Sequence, residues 1–312
     1  MNTQPQAQLK VQLKACYPWF DTFLGQMLSR MDAQKCHHGM LLLGPEGLGK
    51  ADLAVQLAQA LLCKTPGQRG CGQCQACLLF AAGSHPDFHQ VQSEKQIGVD
   101  DIRQAIEKLQ GTAQLSGAKA LIIHQADSMT ESAANALLKT LEEPTRQTYL
   151  ILTSAKPHRL LPTILSRCEK LLLPQPDKAD CGRWLASEQI VAEPALLEMY
   201  YASPLILRQM ANAEAGLGYQ DFITALDGLR QGSTSAVQVA GHWQEQAARF
   251  VHWLQHWLLS QSKPPGPQFN QWWPLYQASL VASKQLTHPG INKALLLSGL
   301  LSQLAGISSR SV

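Results

Sequence analysis

Short, uninterrupted apolar runs separated by helical patterns characterise the first half of the chain. These runs occur at residues 40–43, 120–123, 149–152 and 170–173, and a weaker one occurs at 88–91. An apolar run of four residues that stops at glycine or polar residues is typical of a strand buried on both faces. Leucines at helical spacing lie between the runs, for example within residues 131–143. This alternation predicts an α/β fold with a parallel sheet.

Beyond Pro174 the pattern is helical only, which predicts a change of domain. A set of large apolar residues has the spacing of one amphipathic helix face: Trp243, Phe250, Trp253, Leu254 and Trp257. Such stripes usually pack in a helical core or a subunit interface; a platform for stacking nucleic-acid bases is the alternative. We predict an α/β domain over residues 1–168, a small helical domain over 169–210, and an all-helical domain over 211–312.

Composition favours folded domains and argues against several classes of protein. The chain has 312 residues, of which 45% are hydrophobic and 16% charged, with a net charge of +3. This composition argues against disorder, and no basic run marks a dedicated nucleic-acid binder. No apolar run reaches the length of about 18 residues that a membrane span requires, and residues 1–6 lack the pattern of a signal peptide. We therefore predict a cytoplasmic protein whose eight cysteines are thiols or metal ligands.

One segment carries the pattern of a phosphate-binding loop. Residues 44–50 read Gly-Pro-Glu-Gly-Leu-Gly-Lys, and they lie between a predicted strand and a predicted helix, as such a loop requires. Gly44, Gly49 and Lys50 are the candidate phosphate-binding residues; a loop kept only for the strand-to-helix turn is the alternative. Ala51 occupies the position where a Ser or Thr hydroxyl would hold magnesium, and a methyl group cannot ligate a metal.

The second magnesium-binding element is also missing. It should be a carboxylate at the end of a later buried strand, but the strand at residues 119–123 is followed by His124 and Gln125. Asp127 lies nearby, beyond the strand end. Two independent losses predict that the chain does not hydrolyse nucleotide by itself.

Four cysteines have the spacing of a metal site. They follow the pattern C-x7-C-x2-C-x2-C, at Cys63, Cys71, Cys74 and Cys77. Four thiolates within one loop suit a closed, tetrahedral zinc site of structural type, which we predict as a zinc module over residues 63–77. Unconnected thiols and an iron–sulfur cluster are the alternatives.

Two further segments carry a specific resemblance. Residues 135–144 read Asn-Ala-Leu-Leu-Lys-Thr-Leu-Glu-Glu-Pro, and residues 161–168 read Leu-Pro-Thr-Ile-Leu-Ser-Arg-Cys. Together with His85-Pro-Asp87 and Ile97-Gly-Val-Asp100, they resemble the clamp-loader subunits of bacterial DNA polymerase III, members of the AAA+ family. The resemblance extends over residues 20–175. It implies a RecA-like AAA+ domain with a zinc module, followed by a helical lid and a C-terminal helical collar that joins subunits into a ring.

The resemblance also implies roles for individual residues. The family contains gamma/tau ATPases and subunits with a degenerate nucleotide site, and Ala51 makes this chain similar to the second kind. In the family, the motif at Ser166-Arg167-Cys168 supplies an arginine finger to ATP in a neighbouring subunit, where a guanidinium neutralises charge in the transition state. An ordinary intrachain ion pair of Arg167 is the alternative. Leu205 is found near the place of a sensor arginine, with Arg208 out of register.

The implied partners are the gamma/tau ATPase subunits and the delta subunit, which opens the sliding clamp. The clamp is a partner indirectly, and primed DNA is contacted through the assembly, mainly at backbone phosphates. Two rival functions remain open. One is a weak gamma/tau-type ATPase that uses Asp127 or Glu131 as its carboxylate. The other is a zinc-containing DNA-binding module on an inactive AAA+ scaffold. Thr153 and Ser154, at a sensor position of the family, are expected to be vestigial.

Overall fold

The structure, a computed structural model, describes residues 16–65, 69–115, 117–212, 217–261, 269–288 and 290–308. The chain forms two compact units, Met1–Ala211 and Asn212–Val312. The N-terminal residues from which we predicted the absence of a signal peptide lie outside the described ranges. Among the described helices, none is both long and apolar enough to cross a membrane.

A parallel sheet forms the centre of the first unit. Within the described residues it has five strands: β1 (Gly39–Leu43), β2 (Phe88–Val91), β3 (Lys119–Ile123), β4 (Thr148–Ser154) and β5 (Glu169–Leu172). Their order across the sheet is β2-β3-β4-β1-β5, and every neighbouring pair is parallel. Each strand overlaps one of the predicted apolar runs, which confirms the parallel α/β sheet.

Helices cover both faces of this sheet. They are α1 (Asp21–Asp32), α2 (Lys50–Leu62), α3 (Gln75–Ala81), α4 (Val99–Leu109), α5 (Glu131–Glu142), α6 (Pro162–Arg167), α7 (Lys178–Ser187), α8 (Pro194–Tyr200) and α9 (Pro204–Ala211). Because side chains alternate along a strand, neighbouring residues of β1 enter different cores. Leu42 packs with residues of α1 and α2, including Leu57, whereas Leu41 packs with residues of α4 and α5, including Leu137.

The second unit is helical in all its described parts, as predicted. Its helices are α10 (Tyr219–Gln231), α11 (Ala236–Trp243), α12 (Ala247–Gln261), α13 (Phe269–Gln285) and α14 (Lys293–Ser308). Trp243 and Trp253 are each 1% exposed, and Trp243 lies edge-on to Phe250 with ring centroids 5.1 Å apart. The two buried indoles form core, so neither can stack on a nucleic-acid base.

The aromatic face does not belong to one helix, and that part of the prediction was wrong. Trp243 ends α11, and a 3-10 turn at Gln244–Gln246 precedes α12. The turn changes the chain direction, so that Trp243 and Phe250 meet from two helices around one core. Periodicity alone cannot show such a break, because the polar turn also fits the outer face of a single helix.

Candidate functional site

A cavity of about 320 Å³ opens at the carboxyl edge of the sheet. Its walls are the loop between β1 and α2, the residues that follow β3 and β4, and one residue at the start of α9. The lining includes Glu46, Gly47, Gly49, Lys50, Ala51, Asp52, Gln92, His124, Gln125, Asp127, Thr153, Ser154, Lys156 and Leu205. Ligands of parallel α/β proteins bind at this edge of the sheet, beyond the strand carboxyl ends.

The glycines of the loop meet two separate requirements. Gly47 has φ +74° and Gly49, the residue before α2, has φ +101°, a backbone region that favours glycine. A Cβ atom on Gly49 would also lie 2.5 Å from Tyr17 Cε2, and one on Gly47 would lie 2.5 Å from Ile206 Cγ1. The turn and its packing therefore require these glycines whether or not a phosphate binds.

Aromatic residues ahead of β1 hold the loop from one side. The Tyr17 hydroxyl donates a 2.5 Å hydrogen bond to Asp52 Oδ2, and Trp19 Nε1 donates to the Leu48 carbonyl at 3.0 Å. Burial, together with the hydrogen bond to Asp52, raises the pKa of Tyr17, so its hydroxyl stays protonated. The sequence analysis missed this contact, because nothing in the local pattern links Tyr17 to a loop some thirty residues later.

Helix α9 holds the loop from the other side. The Leu205 N–H donates to the Gly47 carbonyl at 3.0 Å, and the Leu205 side chain lines the cavity. Arg208 is not among the lining residues; its guanidinium lies 5.5 Å from the Trp184 ring centroid and 3.6 Å from Glu188. At this wall the cavity therefore has the apolar side chain of Leu205 and no arginine.

Lys50 binds its own loop. Its Nζ donates to the Gly44 carbonyl at 2.8 Å and to the Pro45 carbonyl at 2.7 Å. Burial lowers the pKa of Lys50 to about 8, against the opposing effect of Glu46 and Asp127. A phosphate at this position would have to replace two hydrogen bonds that the ammonium already makes.

The strand ends offer no magnesium ligand at the expected positions. His124 Nε2 donates to Gln90 Oε1 at 2.8 Å, and burial lowers the pKa of His124, so the imidazole is neutral at pH 7. The Gln125 N–H donates to Thr153 Oγ1 at 3.0 Å. Both residues help to hold the ends of β3 and β4, and neither supplies a carboxylate.

Asp127 lies closer to the site than its sequence position suggested. The 3-10 turn Ala126–Ser128 folds back toward β4, so that Asp127 lines the cavity. Its Oδ1 accepts hydrogen bonds from Ser154 Oγ at 2.6 Å and from the Ala155 N–H at 3.2 Å. Asp127 thereby fixes the loop after β4, and its carboxylate remains the nearest substitute for the missing one at the strand end.

The charges around the cavity do not favour a polyphosphate. Three carboxylates, from Glu46, Asp52 and Asp127, face two ammonium groups, from Lys50 and Lys156. In an active nucleotide site, magnesium reduces repulsion between carboxylates and phosphates. Here the hydroxyl that would help to hold magnesium is absent.

The four predicted metal ligands converge. The Sγ atoms of Cys63, Cys71, Cys74 and Cys77 all lie within 4.8 Å of one another, and those of Cys71 and Cys77 are 3.9 Å apart. Tetrahedral zinc, with Zn–S bonds of about 2.3 Å, places its sulfurs about 3.8 Å apart. The cysteines are therefore not unconnected thiols, and this cluster fits one metal ion.

Backbone N–H groups prepare the cluster for negative charge. The N–H of Cys71 points to Cys63 Sγ at 3.3 Å, that of Cys74 to Cys71 Sγ at 3.3 Å, and that of Cys77 to Cys74 Sγ at 3.4 Å. Such N–H groups lower the pKa of Cys71 to about 6, and that of Gln73 has the largest effect. Burial raises the pKa of Cys77 to about 12. A metal cation supplies the charge that makes four adjacent thiolates stable.

Arg167 lies near the amino ends of the strands, at the edge of the sheet opposite to the cavity. It ends α6, two residues before Glu169, which pairs with Met40 near the start of β1. The cavity lies beyond the other end of β1, and a strand of this length spans about 15 Å. Arg167 is not among the residues that line the cavity. Arg167 therefore lies away from this chain's own nucleotide-like cavity.

Arg167 forms an intrachain ion pair in this structure. Its Nε donates to Glu142 Oε1 at 2.6 Å, and its Nη2 lies 2.5 Å from the same oxygen. Nη1 donates to the Thr163 carbonyl at 3.2 Å and to Ser166 Oγ at 3.3 Å. The Arg167 side chain is 34% exposed, so the ion pair lies at the surface.

Comparisons with known proteins bear on identity. A family model described as DNA polymerase III, delta subunit, matches residues 21–177. The DNA polymerase III subunit delta' of Pseudomonas aeruginosa is 38% identical over 253 residues, covering 78% of this chain and 76% of that protein. The Escherichia coli protein of the same name is 35% identical over 259 residues, covering 79% and 76%.

A solved structure of a DNA polymerase III, gamma subunit-related protein from Thermotoga maritima is also similar. It is 17% identical and has a TM-score of 0.45, over 92% of this chain and 99% of that chain. This likeness is too low to carry an argument, so the family is assigned from the relatives that are similar in sequence. The matched residues 21–177 include the glycine loop, the cysteine cluster and Arg167. The chain belongs to the DNA polymerase III subunit delta' family.

Proposed function

We propose that this chain is a non-hydrolysing delta-prime subunit of a bacterial DNA polymerase III clamp loader. Membership of the family supports a place in the clamp-loader assembly. The residues that line the cavity support the absence of ATP hydrolysis. Ala51 lacks the magnesium-binding hydroxyl, and His124 and Gln125 replace the carboxylates at the end of β3. In this role the chain binds gamma/tau ATPase subunits and the delta subunit, and the assembly loads a sliding clamp onto primed DNA.

The observation that carries the proposal is the position of Arg167. It lies at the sheet edge away from its own cavity, with a side chain that is 34% exposed. A guanidinium that reaches ATP in a neighbouring gamma/tau subunit would neutralise charge on the transferred phosphoryl group. Arg167 is thus the proposed arginine finger acting in trans, and Ser166 supports it through the contact with Nη1.

The remaining parts have proposed structural roles. Zinc at the four cysteines holds the module over residues 63–77 onto α2. Of the predicted domains, the AAA+ domain is extended from residue 168 to Leu172, because β5 pairs with β1 in its sheet; the lid follows to residue 210, and the collar spans 211–312. Gly44, Gly49 and Lys50 shape the loop and its contact with α9; the proposed role does not require that they bind ATP.

The test is DNA-dependent ATP hydrolysis by the reconstituted loader, with wild-type chain or Arg167→Ala. We expect turnover to fall at least about tenfold, because an arginine finger contributes factors of this size or larger. Arg146→Ala, which removes an exposed arginine, is the matched control and should leave turnover unchanged. Unaltered turnover with Arg167→Ala, in a complex that still assembles, would refute the finger.

One observation favours a second candidate, a weak gamma/tau-type ATPase. Asp127 lines the cavity and has one carboxylate oxygen beyond the Oδ1 that binds Ser154 and Ala155. Glu131, the other carboxylate considered, does not line it. A nucleotide titration of the isolated chain with and without magnesium separates the candidates: binding that depends on magnesium and is lost in Asp127→Asn supports the ATPase.

A further inference from the structure

The ion pair between Glu142 and Arg167 joins the ends of two helices, at the edge of the sheet where the strands begin. Glu142 is the last residue of α5, and Arg167 is the last residue of α6. One carboxylate oxygen, Glu142 Oε1, contacts both Nε and Nη2 of the guanidinium, at 2.6 and 2.5 Å. Hydrogen bonds between charged groups are stronger than neutral ones, and two contacts to one carboxylate restrict the orientation of the planar group.

All three nitrogens of the guanidinium have partners, and the longest contacts are those of Nη1. A guanidinium has five N–H donors in a flat fork. Glu142 occupies the side that carries Nε and Nη2, while the contacts of Nη1 to Thr163 and Ser166 are longer, at 3.2 and 3.3 Å. The end between Nη1 and Nη2 faces away from Glu142. Phosphate oxygens match the spacing of two such donors, and a phosphate at this end would replace the long contacts that Nη1 makes with Thr163 and Ser166.

Stability of the fold does not account for this arrangement. The side chains are 34% and 47% exposed, and ion pairs this open to water contribute little to folding. A long arginine side chain, however, loses considerable conformational entropy when it is fixed. A group that stabilises a transition state acts best when its orientation is set in advance.

We propose that Glu142 is a positioning residue for Arg167: it holds the Nε side of the guanidinium, so that the end bearing Nη1 and Nη2 is presented to phosphate oxygens of a nucleotide in the neighbouring subunit. This inference rests on the proposed function, because it needs Arg167 to act in trans. Glu142 itself does not touch the nucleotide.

The experiment is a double-mutant cycle in the reconstituted loader, with ATP titrated at saturating clamp and primed DNA. We expect Glu142→Ala to lower kcat about fivefold with little change in KM for ATP, since a misplaced finger loses stabilisation of the transition state only. In the Arg167→Ala background, Glu142→Ala should have no further effect. Glu142→Gln, whose amide oxygen still accepts from Nε, should lose less than Glu142→Ala.

The matched control is Glu143→Ala, which removes the neighbouring exposed carboxylate and should leave kcat unchanged. Size-exclusion chromatography confirms that each variant assembles. If Arg167→Ala lowers kcat while Glu142→Ala does not, the positioning role is wrong and the proposed function stands. If Arg167→Ala has no effect, the finger itself fails.

Two other results would also overturn the inference. An equal loss on adding Glu142→Ala to Arg167→Ala would show that Glu142 acts through the fold rather than through the arginine. A rise in kcat with Glu142→Ala would show that the carboxylate restrains the finger instead of orienting it.

Discussion

Gly49 combines a left-handed backbone with an aromatic ring in direct contact. Its φ is +101°, and Tyr17 occupies the volume in which a Cβ would lie. Neither constraint involves a ligand. A glycine-rich loop can therefore persist in a chain that has lost the chemistry for which the pattern is known.

We expect Gly49→Ala to lower the free energy of unfolding by about 2–4 kcal/mol, from left-handed strain and overpacking against Tyr17. Gly25→Ala is the control: Gly25 lies within α1 with no atom within 4 Å of the added Cβ, so this change should be neutral or stabilise by up to about 1 kcal/mol. Urea unfolding measures both. Equal effects would show that the Tyr17 contact is not restrictive.

Lys50 provides a test that depends on pH. Burial lowers its folded-state pKa to about 8, from an ordinary 10.5. Between these values the unfolded chain binds a proton that the folded chain has released, so the contribution of Lys50 to the free energy of unfolding rises with pH. Wild type should therefore gain stability relative to Lys50→Met from about pH 8 to about pH 10.5. A difference that does not vary with pH would contradict the burial of this ammonium.

At the scale of elements, the cysteine loop is a module whose four sulfurs lie close enough to hold one metal ion. Its residues span the end of α2 and the start of α3, and Cys74 caps α3 by accepting the Cys77 N–H. A segment this short has little apolar core, so the metal would supply much of its stability. The spacing of the four cysteines predicted this convergence, because the ligands are close along the chain.

The metal site predicts a direct outcome. Purified protein should carry about one zinc ion per chain, and Cys77→Ser should lose it and lower the thermal midpoint by about 5 °C. Cys36→Ser, outside the cluster, should keep the metal. Metal analysis and thermal unfolding check both. Iron with visible absorption would instead establish the iron–sulfur alternative.

At the scale of the whole molecule, each of the two compact units has its own core. In the unit Asn212–Val312 the core is aromatic: Phe222, Trp243, Phe250 and Trp253 are each no more than 1% exposed. The α/β unit has leucine and isoleucine cores on either face of its sheet. A substitution that destabilises one core should therefore lower the local stability mainly of its own unit.

Trp243→Ala tests this independence. Loss of a fully buried indole should cost about 3–5 kcal/mol, and hydrogen exchange should show lost protection in α10–α14 with protection retained in β1–β5. Trp273→Ala is the control, since that side chain is 41% exposed and its loss should cost about 1 kcal/mol or less. Equal loss of protection in both units would mean that they unfold together.

The amino-acid sequence by itself determined the features that depend on local order and residue chemistry. The apolar runs located β1, β3 and β4, because a strand buried on both faces must be largely apolar. The two outer strands, β2 and β5, contain polar residues and gave weaker signals. The spacing of Cys63 to Cys77 predicted the metal cluster. The methyl group of Ala51 and the residues His124 and Gln125 indicated a site without hydrolysis, since none of these side chains carries the hydroxyl or carboxylate that its position requires.

Only the tertiary structure decided what the degenerate loop contacts and how Arg167 is held. Tyr17 meets Asp52, Leu205 meets Gly47, and Glu142 meets Arg167 across separations of 35, 158 and 25 residues along the chain. Contacts between such distant positions leave no periodicity or spacing in the sequence. They exist because the parallel sheet brings all its strand ends to two edges, and side chains that share an edge then pair by distance and charge.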